Sequence, residues 1–341
     1  MKYIFKYIKF IIILLHIVII NPSCVLLDDN RNINYTPTLV DVDNILNDDS
    51  EYIIVLGDIQ EYTNNKDYAE YLGHTMNWIW SQVKHGKNIK CVLQTGDITW
   101  YNLRHQYEVF LEYTTSLASL IPYISCPGNH DYEYGGGSII TDRYSTLFSE
   151  FTQFAHVRNR IVNQFEPDRM ENIIVSNYIG GKRYDIISLE FGPRIEVIEW
   201  VRNHIQANPD NHYIFMTHEF LTNNGNIVVT GSSYGERQLQ NTTVMSPEQI
   251  WNQLIKDNNN ILCVLCGHNG FSAHNISVNS AGREVYQILF NLQYQENGGD
   301  GWIQIWEFPN NKDYVNINTY NTIYRQYYPG DNHSFNFKYK Y

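Results

Sequence analysis

The sequence predicts an α/β protein built on two packed sheets, and three observations carry that prediction. Short apolar runs alternate with amphipathic helical stretches through the first 130 residues. Three of these runs end in glycine followed by a side chain able to bind a metal. A later tract, residues 271–322, reads as several strands separated by turn signals, as expected for a second sheet packed on the first.

Taken in order, residues 52–56 form an apolar run that ends at Gly57-Asp58. Residues 67–85 then place Tyr68, Tyr71, Leu72, Met76, Trp78 and Ile79 at helical spacing. A second run at 89–93 ends at Gly96-Asp97, and residues 104–120 read as another helix. A third run at 121–126 ends at Gly128-Asn129-His130-Asp131. Residues 172–191 read as two strands around Gly180-Gly181, a hairpin signal. A helix is expected at 196–207, a strand at 212–216 ending in Thr217-His218, a helix at 247–257, and a strand at 261–266 ending in Gly267-His268. In α/β sheets, ligands collect at the carboxyl ends of strands, so these five strand tips are the candidate site.

The flanks have a different character. Lys2, Lys6 and Lys9 precede an apolar run at 10–20 that is interrupted only by His16. The run is shorter than the roughly 20 residues a membrane-spanning helix needs, and it fits a secretory signal over residues 1–23. Ser23-Cys24 follows and predicts a lipid anchor on Cys24, so the chain is expected to be exported, as a periplasmic or cell-surface lipoprotein or a secreted protein. Residues 24–50 read as a polar tether or an irregular entry into the domain, and residues 326–341 as an irregular C-terminal tail.

The formal charge of −12 disfavours binding of extended nucleic acid through a broad basic surface. It leaves room for a small phosphorylated substrate, because a bound dication dominates its local field. Cys91, Cys126, Cys263 and Cys266 all lie in apolar, strand-like stretches and read as buried thiols. In a strand, Cys263 and Cys266 face opposite ways.

The donor types at the strand tips suit a divalent ion. Carboxylate and amide oxygens serve hard ions, and imidazole serves zinc, manganese or iron. A carboxylate such as Asp97 can bridge two ions. The segments Gly57-Asp58-Ile59-Gln60, Gly96-Asp97, Gly128-Asn129-His130-Asp131, Thr217-His218 and Gly267-His268-Asn269-Gly270 together resemble the signature of the calcineurin-like metallophosphoesterases. That pattern runs D-x-H, GD, GNH[DE], an isolated His after a strand, and GHxH. The resemblance spans residues 52 to about 310. It implies a four-layer α/β/β/α sandwich over residues 51–325, with two mixed sheets flanked by helices.

The resemblance also implies one or two divalent ions (manganese, iron or zinc) and hydrolysis of a phosphate monoester or diester by a metal-held hydroxide. One metal position is intact, with Asp97, Asn129, His218 and His268 as ligands. The other keeps Asp58 and shares Asp97, but Gln60 and Gly270 stand where the family carries histidines. Gln60 can still offer an amide oxygen, and His274 lies close enough in sequence to be a substitute ligand. His130 is implied as the general acid, with Asp131 orienting its ring. Arg194, Tyr101 and His105 are candidates for contacting substrate, with a surface ion pair as the other reading of Arg194; Gln293 and Tyr294 approach the same face, and Gly135-Gly136-Gly137 after His130 reads as either a gating loop or an ordinary connector. The purple acid phosphatases place a ligand tyrosine at the position held here by Trp100, which disfavours a tyrosinate–iron centre. The loss of two histidines leaves a second reading open: a non-catalytic surface binding lipoprotein on a degenerate metallophosphoesterase scaffold.

Overall fold

A computed structural model of the chain describes residues 35–41, 43–240 and 242–338. The expected signal peptide and Cys24 lie outside the described residues. Among those described, the strands in chain order are β1 (Ser50–Leu56), β2 (Asn88–Gln94), β3 (Tyr123–Ser125), β4 (Ile161–Gln164), β5 (Ile173–Val175), β6 (Tyr178–Ile179), β7 (Lys182–Ser188), β8 (His212–Met216), β9 (Ile261–Cys266), β10 (Ser272–Val278), β11 (Glu284–Phe290), β12 (Trp302–Pro309), β13 (Tyr314–Asn321), β14 (Gln326–Tyr327) and β15 (Ser334–Lys338). They form two mixed sheets. The first has the order β14-β13-β12-β1-β2-β3, with β15 also paired to β13. The second has the order β10-β11-β9-β8-β7-β5-β4, with β6 paired to β7.

Side-chain alternation explains the layers. In the second sheet, Ile186, Ile214, Met216, Cys263, Leu265 and Ile288 face the first sheet and share its core with Ile53, Leu93 and Ile124. Their neighbours Ile187, Phe215, Val264 and Leu289 face the other way. There they pack on Val197, Ile198 and Val201 of the helix Ile195–Ala207 and on Ile250 of the helix Pro247–Gln253. The period of two sends adjacent residues to opposite layers. Cys263 and Cys266 accordingly fall in different cores, and all four described cysteines are free and buried. The helix Lys66–Lys84, through Leu72, Met76 and Ile79, and the helix Arg104–Ala118, through Tyr107 and Phe110, cover the first sheet. The result is helix, sheet, sheet, helix.

Three sequence expectations are corrected. The strands of 271–322 do not make one sheet. β10 and β11 extend the second sheet, while β12 runs antiparallel to β1 and closes the edge of the first. The tail from 326 is not irregular: β14 and β15 both pair with β13, and Phe337 is buried in the shared core. The described part of the tether is docked rather than free. Tyr35 donates to the Gly73 carbonyl, the Val40 amide to Ser81 Oγ, and Leu46 is buried. No helix among the described residues is long and apolar enough to cross a membrane.

β1, β2 and β3 are mutually parallel, as are β7, β8, β9 and β11. The carboxyl ends of β1, β2 and β3, and those of β8, β9 and β11, thus deliver Asp58, Asp97, Asn129, His218, His268 and Asn291 to one end of the sandwich.

Candidate metal centre

Asp97 follows β2 through Gly96, whose φ of +111° belongs to glycine. A Cβ at Gly96 would strike the His218 ring. Asp97 and His268 themselves sit at φ +52° and +67°. Such left-handed backbone in non-glycine residues costs on the order of 1 kcal/mol or more each and gathers at functional sites. Here it turns two donors inward at the ends of two strands.

The donors meet closely. Asn129 Oδ1 lies 3.2 Å from His218 Nε2 and 3.0 Å from His268 Nδ1. The two ring nitrogens are 3.2 Å apart, and His218 Nε2 is 3.3 Å from Asp97 Oδ1. Ligand atoms held at ~2.1 Å around one ion stand about 3.0–3.4 Å from one another, so these four side chains fit a single divalent ion. The tautomer of His218 fits as well: its Nδ1 lies 2.8 Å from the Thr95 carbonyl and donates to it, leaving the Nε2 lone pair facing the other donors.

Burial and mutual charge shift the titrations of the site residues in different directions. Burial pushes the Asp58 carboxyl well above the usual range, and Asp97 adds to the effect against the pull of His218. Burial acts the same way on Asp97, but the charges of His218 and His130 outweigh it and hold that carboxyl low. Burial opposes charge on His218, yet Asp97 and Asp58 draw its pKa up. His268, buried and beside His218, is pushed down to about 3.

The loop between β3 and this centre is tied down by Asp131. Its carboxylate accepts from the amides of Gly128 (2.9 Å), Thr99 (2.9 Å) and Ile98 (3.2 Å), from Thr99 Oγ1 (3.0 Å) and from the Tyr107 hydroxyl (3.3 Å). Those bonds lock the Asp97 loop to the Asn129 loop. The expected role of Asp131 in orienting the His130 ring is therefore corrected, because its oxygens are committed to backbone amides and hydroxyls. The His130 ring is held instead through Nδ1, which is 3.0 Å from both the Trp100 carbonyl and the Gly136 amide, and it lies against the Trp100 ring at 4.9 Å. The His130 amide donates to Asp97 Oδ1 at 3.0 Å.

The family model for calcineurin-like phosphoesterases matches residues 51–295. The chain belongs to the calcineurin-like phosphoesterase family. Over 299 residues it is 25% identical to the uncharacterized protein YvnB of Bacillus subtilis (strain 168), covering 81% of this chain and 20% of that one. Over 90 residues it is 30% identical to a probable inactive purple acid phosphatase 27 of Arabidopsis thaliana, covering 26% of this chain and 15% of that one. The chain thus spans a fifth or less of the length of these relatives. Overlaps with solved structures include the 5'-nucleotidase precursor from Thermus thermophilus, 14% identical with a TM-score of 0.41 over 76% of this chain and 51% of that one. The NAD nucleotidase of Haemophilus influenzae is 12% identical with a TM-score of 0.40 over 76% and 47%.

Within this member of the family, the Asp58 side of the site differs from the histidine side. Asp58 Oδ1 accepts from the His268 amide at 3.1 Å, and Oδ2 accepts from Asn291 Nδ2 at 2.5 Å and Gln293 Nε2 at 3.2 Å. Gln60 Nε2 donates to Asp97 Oδ2 at 3.2 Å. A side chain at Gly270 would collide with the Tyr294 ring, which stands in that space. His274 does not substitute for the absent imidazole. It lies on β10 and stacks on Phe335 of β15 at 4.2 Å, between the edges of the two sheets.

The predicted substrate contacts divide. Tyr101 is exposed and packs edge-on against Trp100, beside His130. His105 is exposed in the first turn of the helix Arg104–Ala118 and has no hydrogen bond to the metal centre. Arg194 is a correction: its guanidinium is consumed by Glu190 (2.9 and 3.1 Å) and Glu166 (3.1 Å), because the buried Glu190 requires a cation. An exposed cation near the site that sequence reasoning did not single out is Arg237. It is exposed and lies 4.1 Å over the Tyr234 ring, which in turn packs on the His268 ring at 4.4 Å. It falls in the polar stretch 221–245, which carries no motif. Asn291 was also missed, although it follows a strand tip just as the ligands do.

Proposed function

We propose that this chain is a metal-dependent hydrolase of small phosphate monoesters or diesters and that it works outside the cytoplasm. The observation that carries the reading is the convergence of Asp97, Asn129, His218 and His268, with neighbouring donor atoms 3.0–3.3 Å apart, next to His130. A divalent ion bound there (manganese, iron or zinc) supplies Lewis-acid polarisation and activates water. His130 is fixed through Nδ1 and delivers a proton from Nε2 to the leaving alkoxide oxygen. Arg237 presents a cation to the substrate's anionic group, and Tyr101 and His105 form the rim on the His130 side. Asp58 and Gln60 complete the opposite wall. The basic and apolar leader supports export, and the charge of −12 supports a small substrate over a polymer.

The test is release of nitrophenol from 4-nitrophenyl phosphate and from its bis-ester. Activity is expected to vanish with chelator and to return with added ion. His130→Ala is expected to lower kcat by about 10²–10⁴ with metal content unchanged. A protein that binds manganese and a phosphate ester but never turns over would overturn this reading in favour of a binding lipoprotein on the same frame.

A further inference from the structure

Two buried amide oxygens beside Asp58 have no partner. Gln60 is 1% exposed and Gln293 is 5% exposed, yet Oε1 of each makes no hydrogen bond. Their amide nitrogens are engaged, Gln60 Nε2 on Asp97 Oδ2 and Gln293 Nε2 on Asp58 Oδ2. An orphaned acceptor inside a protein costs on the order of 1–3 kcal/mol. Two of them flanking the same pair of carboxylates point to a ligand that accepts oxygen lone pairs.

The orientation of a third amide is fixed independently. Asn291 Oδ1 accepts the Gln293 amide at 3.0 Å, so Asn291 must turn its NH₂ to Asp58 and serves as an anchor for that carboxylate. Among the described residues, no imidazole nitrogen reaches this half of the site. Gln60 replaces one histidine of the family pattern, and Tyr294 fills the space above Gly270 where the other would stand. What remains is Asp58, the outer oxygen of Asp97, and the amide oxygens of Gln60 and Gln293.

Donor type decides the ion. Hard cations such as magnesium and calcium take carboxylate and amide oxygens and complete their shells with water. Zinc and its neighbours favour sites that include imidazole. We propose that the Asp58–Gln60–Gln293 side is an oxygen-only position for a hard divalent cation, magnesium or calcium, next to the nitrogen-bearing position that takes a transition ion. The inference rests on the metal-centre reading under Proposed function. It makes the centre a mixed pair with two hardnesses rather than two equivalent ions.

The experiment starts from chelator-treated protein reloaded with one equivalent of zinc and titrates it calorimetrically with calcium and with magnesium chloride. Elemental analysis follows the zinc throughout. One further ion per chain is expected to bind with zinc retained. Gln60→Leu combined with Gln293→Leu is expected to weaken that second step at least tenfold while zinc stays at one per chain. The converse variant, Gln60→His with Gly270→His and Tyr294→Ala, is expected to hold two zinc ions. No calcium or magnesium binding up to about 10 mM, well above the weakest protein calcium sites, would overturn the proposal. So would two tightly held zinc ions in the natural protein. Failure to retain even one zinc overturns the metal-centre reading itself, so the two failures are separable without any activity measurement.

Discussion

The two halves of the site use the same device with opposite chemistry. On the side of β8 and β9, strand tips present imidazoles whose facing nitrogens lie 3.2 Å apart, the tautomer of His218 being set by the Thr95 carbonyl. On the side of β1 and β11, strand tips present Asp58 and Asn291, and every nearby donor to a cation is oxygen. A strand tip therefore fixes where a donor stands, while the residue type at that tip fixes which ion the position accepts. Changing two residues, at 60 and 270, alters one half and leaves the other intact.

The largest expected effect comes from breaking the imidazole half. His218→Ala or His268→Ala should lower affinity for zinc or manganese by well over 100-fold, because even residues that only support ligands are worth about 10–100-fold. Activity should fall with occupancy. Gln60→Ala should leave that affinity within about tenfold, since the amide touches Asp97 from the other side. Metal-binding calorimetry on the three variants checks the contrast, and equal losses in all three would show that the halves are not distinct.

Most of this was legible in the sequence where an apolar strand ended in glycine and a donor. The five motif segments fell at strand ends as expected, because alternation and strand length are local properties. Gln60 and Gly270 could be seen to break the pattern. What filled the gap could not, because Tyr294 reaches Gly270 only through the pairing of β11 with β9. The sequence pointed to Arg194 rather than Arg237 for the same kind of reason. The fate of an arginine depends on which carboxylate the fold brings to it, and Glu190 lies four residues from Arg194 while no motif marks the short helix Tyr234–Gln238 that carries Arg237. Sheet membership of β12 and the fate of the tail likewise depended on long-range pairing that no local signal encodes.

That pair of arginines gives the next test. Arg194→Ala leaves Glu190 buried with a single remaining cationic partner, Arg143 at 3.5 Å, beside the Asn172 side-chain amide. Removing one member of a buried pair costs about 3 kcal/mol, so the thermal midpoint should fall by several degrees, with KM unchanged once the protein is folded. Arg237→Ala removes an exposed guanidinium stacked on Tyr234 and should leave the midpoint nearly unchanged. KM for a phosphate ester should rise about tenfold, the loss of roughly one charge-assisted contact. If Arg194→Ala raised KM and Arg237→Ala did not, the assignment of substrate contact would be reversed.

The smallest effect concerns the tail that pairs with β13, the region whose order was least visible in sequence. Burial pushes the His333 imidazole down to about 4, where it stacks on Tyr328 at 3.9 Å and meets Thr319 Oγ1 at 3.2 Å. Because the folded value lies below the unfolded value of about 6.5, the neutral ring is the one that folds. Its contribution is fully present above pH about 6.5 and is lost as pH falls through the window towards 4. His333→Gln cannot titrate there, so the difference in thermal midpoint between natural protein and variant should shrink or change sign between pH 7 and pH 4.5. Taking the difference cancels the titration of the metal centre, which both proteins share. A difference that stays flat across that range would mean the ring is not held neutral by the sheet edge, and that the tail docks more loosely than its pairing with β13 indicates.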